Sequence, residues 1–86
     1  MNEDQELDLL LAEPTETADV VRFEIGYPDT PKTYSYAAVR MRDGNWFITG
    51  ADSPQGLRWR QLIAWFKVKN MIVHSMHLAT GWETIV

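Results

Sequence analysis

His74 and His77, three residues apart in MIVHSMHL, are the side chains in this sequence best suited by type to hold a metal ion. Two imidazoles at i and i+3 converge on one side of a helix, but on a strand an odd separation sends them to opposite faces. The β-branched, alternating character of Met71 to Leu78 favours a strand, so no metal site is expected. The chain has no cysteine, and only Glu83 lies close by in sequence. Nucleophilic chemistry needs a hydroxyl or thiol beside an oriented base. Ser35, Ser53 and Ser75 fall in a strand, a helix-cap position and another strand, none within a G-x-S-x-G turn. Glu24, Asp29, Asp43, Asp52 and Glu83, the carboxylates after residue 19, suggest no acid/base pair, and there is no glycine-rich phosphate loop. The expectation is a protein that is not an enzyme, with no catalytic residue, no metal and no cofactor.

Binding chemistry is better represented. From Ser53 to Trp82 the sequence holds no acidic residue, whereas Arg58, Arg60, Lys67 and Lys69 are basic. Such a run could contact phosphates, and Tyr34, Tyr36, Arg40, Arg42 and Phe47, if they share one sheet face, could stack on bases. Against nucleic acid stands the whole-chain net charge of -4 and a pI near 4.9. Tyr, Trp and Arg are also the residues enriched in protein-binding hot spots, and a chain this small can hardly bury all four of its tryptophans. The favoured reading is therefore a protein interface at Tyr34, Tyr36, Arg40, Arg42, Phe47, Trp65 and Trp82. Nucleic-acid contact through Arg58, Arg60, Lys67 and Lys69 is the alternative. Self-association through a strand edge or the helix flank is a third option.

The elements that must position these residues can be read from periodicity. Val21, Phe23 and Ile25 alternate with Arg22 and Glu24, which predicts a strand with the first three on one face. A break follows over Gly26 to Lys32, then a second strand over Thr33 to Arg42. Asp43-Gly44 predicts a two-residue type I′ hairpin turn into a third strand, Asn45 to Ala51. That register puts Ala37, Val39, Met41, Trp46 and Ile48 on the core face. It puts Tyr34, Tyr36, Ala38, Arg40, Arg42, Phe47 and Thr49 on the other.

Asp52-Ser53-Pro54 is a helix-start signal, although Gly56 could delay the regular helix to Leu57. Trp59, Leu62, Ile63 and Phe66 recur at i, i+3, i+4 and i+7 as a core-facing stripe, with Trp65 on its flank, and Asn70 is a left-handed stop. Met71 to Leu78 is the next strand, and Thr80-Gly81 could turn the chain into a last one, Trp82 to Val86. The predicted fold is a small α+β domain, order βββαβ(β), with an antiparallel sheet packed on one amphipathic helix.

With 86 residues there is room for a single domain, assigned to residues 20–86. Residues 1–19 hold seven acids and no base, leaving the remainder at about +3, and read as a flexible acidic arm. Its Leu7 and Leu9 to Leu11 could form a helical turn that docks in a groove. The acidic start and short apolar run suit neither a signal peptide nor a membrane span, so a cytoplasmic location without membrane association is expected.

Tyr34 to Phe66, YSYAAVRMRDGNWFITGADSPQGLRWRQLIAWF, resembles small orphan proteins encoded by actinobacterial phages of the mycobacteriophage kind. Their pattern is a Y-x-Y-A-A strand, a W-[FY]-x-T-G strand, then S-P-x-G and a tryptophan-containing amphipathic helix. It is met here by Tyr34, Tyr36, Ala37 and Ala38, by Trp46, Phe47, Thr49 and Gly50, by Ser53, Pro54 and Gly56, and by Trp59, Leu62 and Trp65. The resemblance covers about two-fifths of the chain. It implies an accessory phage protein that works in the host cell by binding a host or phage protein, in host modulation or defence evasion. Modulation of transcription is the alternative it implies.

Overall fold

A computed structural model describes residues 9, 10, 12–50, 53–80, 84 and 85. Five strands and one helix follow in the order β1 (Val20–Tyr27), β2 (Thr30–Arg40), β3 (Trp46–Ile48), β4 (Gln55–Leu57), α1 (Trp59–Val68) and β5 (Ile72–Leu78). The strands form one antiparallel sheet in the order β4-β3-β2-β1-β5. This is the α+β architecture expected, with β4 added.

The alternation read in β1 holds: Val21, Phe23 and Ile25 are fully buried, while Arg22 and Glu24 are exposed. Trp59, Leu62, Ile63 and Phe66 are the buried residues of α1, and they close the core over Ala38, Trp46, Ile48, Met71 and Val73. The helix ends where Asn70 takes a φ of 55°. The Asn70 N–H donates to the Lys67 carbonyl and the Met71 N–H to the Phe66 carbonyl, the paired bonds of a Schellman cap.

Two expectations fail, each for a local reason. The β2–β3 turn has three residues, not two. The Gly44 N–H donates to the Met41 carbonyl and the Met41 N–H to the Asn45 carbonyl, and Gly44 has a φ of 86°. This is a type I turn closed by a left-handed glycine, a geometry that Asp-Gly serves as well as type I′. Asp43 holds it by accepting from the backbone N–H and side-chain amide of Asn45. The register is therefore shifted by one, with Ala38 opposite Ile48 and Arg40 opposite Trp46. The faces of β2 are exchanged: Tyr34, Tyr36, Ala38 and Arg40 share the helix side with Trp46 and Ile48, while Ala37, Val39 and Phe47 lie on the open side.

The segment Ser53-Pro54 does not start the helix. Gly56, at φ 72°, breaks any helical turn, and Gln55–Leu57 pairs with β3 instead. The Gln55 side-chain amide imitates a strand backbone, its Nε2 donating to the Ile48 carbonyl and its Oε1 accepting from the Ile48 N–H. Helix α1 begins only after Arg58, whose N–H donates to Gln61 Oε1.

The acidic arm is tied down over its described part. Leu9 and Leu10 are helical and pack against the core. The buried indoles of Trp59 and Trp46 donate to the Leu9 carbonyl (2.6 Å) and to Glu13 Oε2 (3.2 Å). Ala18 and Asp19 bond to the backbone of Arg40. A buried indole N–H needs an acceptor, and this segment supplies two. The last strand expected at Trp82 to Val86 lies mainly outside the described residues.

A candidate interface at the aromatic cleft

The exchanged faces decide what the candidate residues can do together. Phe23 stacks on Tyr36 at a centroid distance of 5.5 Å, and Tyr36 meets Trp65 edge to face at 6.0 Å. Tyr36 and Trp65 are both half-buried, at the rim where helix and sheet part. With Tyr27, Gly50, Ser53, Lys69 and Met71 they line a cleft of about 340 Å³. Tyr34, 42% exposed, continues the aromatic row by an edge contact to Tyr27 at 5.9 Å. Three candidates from both sets, Tyr36, Trp65 and Lys69, are thus brought to one site.

Tyr27, Gly50 and Met71 of this cleft carried no signal as a site in the sequence. Tyr27 lies at the end of β1, where the register shifts between Gly26 and Tyr27. Gly50 has a φ of 108°, and a Cβ placed there would lie 2.9 Å from Ser53 Oγ and 3.3 Å from the Tyr36 ring. Any side chain at residue 50 would push into the cleft wall, which gives that glycine a steric reason.

The cleft adjoins a free edge. Strand β2 is eleven residues long, but β3 pairs only with Ala38 to Arg40, and the Ala37 bonds to Thr49 add one further step. Backbone groups of an antiparallel strand alternate in direction. Arg40 bonds to Asp19 and Ala18, whereas Ala37 and Met41 bond toward β3, so Thr33 and Ser35 direct their N–H and C=O groups past the end of β3. Among the described residues nothing pairs with that side of Thr33 or Ser35.

The other candidates lie apart from it. Phe47, 43% exposed, faces the open side of the sheet near Val39 and Met41. Arg42 is exposed in the β2–β3 turn, and Trp82 lies outside the described residues. Arg60 and Lys67 are exposed on the outer side of α1. Arg58 stands at its start, close to Arg40 and away from Lys69 at its end. The single aromatic and basic sheet face anticipated for stacking bases is not assembled, because Tyr34, Tyr36 and Arg40 point to the helix side and Phe47 to the other.

The two histidines also differ from expectation. A bulge in β5 lies opposite Glu24 and Ile25, so that Ser75 pairs with Glu24 and Val73 with Ile25, leaving His74 as the extra residue. His74 lies over Gly26, where an added Cβ would be 2.6 Å from its Nε2, and His77 pairs with Arg22. Both imidazoles therefore sit on the open side of the sheet, since the bulge cancels the odd spacing. Among the described residues no three of His, Cys, Asp and Glu are grouped to hold a metal ion. No described helix is long and apolar enough to cross a membrane.

No family model, curated protein or solved structure matches this chain.

Proposed function

We propose that this domain is a non-enzymatic binding module that takes an extended segment of a protein partner along the free half of β2. The observation that carries this reading is the coincidence on one strand of the unpaired backbone of Thr33 and Ser35 with Tyr36, which opens into the cleft beside Trp65. Strand addition draws affinity from main-chain hydrogen bonds and specificity from pockets for alternate side chains. The cleft suits an apolar or aromatic side chain, with Lys69 at its margin to favour an acidic neighbour. The phage resemblance of Tyr34 to Phe66 supports a host or phage protein as the partner and the cytoplasm of the host cell as the place.

The test is selection from a random-peptide library followed by amide-shift mapping. Selected peptides should shift Thr33, Ser35 and the Trp65 indole. Ser35→Pro, which removes the outward N–H but leaves the β1 side of the strand intact, should abolish binding. Peptides that map to Phe47, Val39 and Met41 on the open sheet would overturn this reading. So would salt-sensitive binding of DNA or RNA that is lost on Arg58→Glu plus Arg60→Glu.

A further inference from the structure

The Arg40 and Arg58 side chains meet over Gly44. A Cβ built on Gly44 would lie 3.4 Å from Arg40 Nη2 and 3.5 Å from Arg58 Nη1, so both guanidinium tips border one small volume. Gly44 itself is buried although it sits in a turn, because these two side chains cover it. Arg40 Nε is shielded from solvent and has no hydrogen-bond partner. Arginine stays protonated under all ordinary conditions, so two like charges are held together here.

Of the described carboxylates, two are committed elsewhere. Asp43 accepts from Asn45 with both oxygens, and Glu13 Oε2 accepts from the Trp46 indole. Among the described residues neither forms an ion pair with Arg40 or Arg58. Helix α1 also begins at this point, with no acidic residue in its first turn.

From this geometry we infer a binding site for a phosphate group bridging Arg40 and Arg58. Two guanidinium tips that border one volume match a phosphate dianion in charge, and such groups favour oxyanion acceptors. The ordered turn contributes by placement: Gly44, at a φ of 86°, lets the chain pass beneath both guanidinium tips. The site is separate from the aromatic cleft and does not depend on how that cleft is used.

Arginine side-chain and backbone NMR of the full chain tests it, with inorganic phosphate and phenyl phosphate titrated against chloride and acetate at matched ionic strength. Both phosphates should produce saturable shifts at the Arg40 Nε–H and the Gly44 amide, and Arg58→Gln, at an exposed residue, should weaken them by about tenfold or more. Tighter binding of phenyl phosphate would identify an esterified phosphate as the source, and equal binding free phosphate. Equivalent shifts with chloride or acetate, shifts unchanged in Arg58→Gln, or no shifts at all would overturn the proposal. Arg58→Glu supplies an internal anion, so its melting temperature should rise and lose its dependence on phosphate. Retention of the wild-type phosphate dependence in that variant would also overturn it.

Discussion

The three described tryptophans divide by whether the ring is buried or reaches the surface. Trp46 and Trp59 are buried against each other at a centroid distance of 4.9 Å, and each finds its acceptor in the segment before β1. Trp65 keeps part of its ring at the surface and lines the cleft. Substitution should separate structure from binding accordingly. Trp59→Phe removes the bond to the Leu9 carbonyl and some core volume, and should cost about 1–2 kcal/mol by chemical denaturation. Trp65→Phe leaves a ring against Tyr36 and Phe66 and should cost less than about 1 kcal/mol, while weakening peptide capture. Equal losses of stability in the two variants would refute the division. The helical stripe made Trp59 legible as core, since four buried positions at helical spacing leave little choice of face. Its partner was not legible, because the contact from residue 59 to residue 9 follows no local period.

At the level of elements, β1 and α1 could be read from their patterns because each buries one face completely, so a single phase satisfies all its apolar residues. Strand β2 could not. Its run YSYAAVR offers an alanine on either face, and Tyr and Arg can rest half-buried, so both registers satisfy the pattern. The turn then decides, and Asp43-Gly44 is compatible with a loop of two residues or of three. The bulge at His74 was equally hidden, since an extra residue in a strand leaves no compositional mark. The cleft depends on that register, which carries Tyr36 to Trp65, so its assembly was out of reach of pattern alone. Paired substitutions test the register directly. Ala38→Asp places a carboxylate in a fully buried position between Val21 and Ile48, and should unfold the domain. Val39→Asp, on the half-exposed opposite face, should cost roughly 1 kcal/mol and leave a cooperative transition. The shifted register forbids the reverse order of damage, as circular dichroism melts of the two variants would show.

At the scale of the whole molecule, the segment before β1 bears on stability more than an acidic solubilising arm would. An 86-residue chain without cysteine has a small core, and here Leu9 and Leu10 extend that core while Ala18 and Asp19 lengthen the hydrogen-bonding around Arg40. Removing residues 1–19 would strip acceptors from two indoles, break two backbone bonds, and expose apolar surface beside Trp59. At about 1 kcal/mol for each hydrogen bond the gross loss is about 4 kcal/mol before apolar burial is counted. The entropy regained by a shorter chain offsets much of it, so the net cost should be about 2–3 kcal/mol. In a domain of this size that lowers the melting temperature by roughly 10–20 °C, measurable by calorimetry on the truncated chain. A truncated chain that melts within about a degree of the full one would show that these contacts contribute nothing net. Loss of partner binding on truncation therefore counts as evidence about the acidic residues only after the melt is measured. A chain in which Glu3, Asp4, Glu6 and Asp8 are changed to the corresponding amides keeps the Leu9, Glu13 and Asp19 contacts and tests their charge alone.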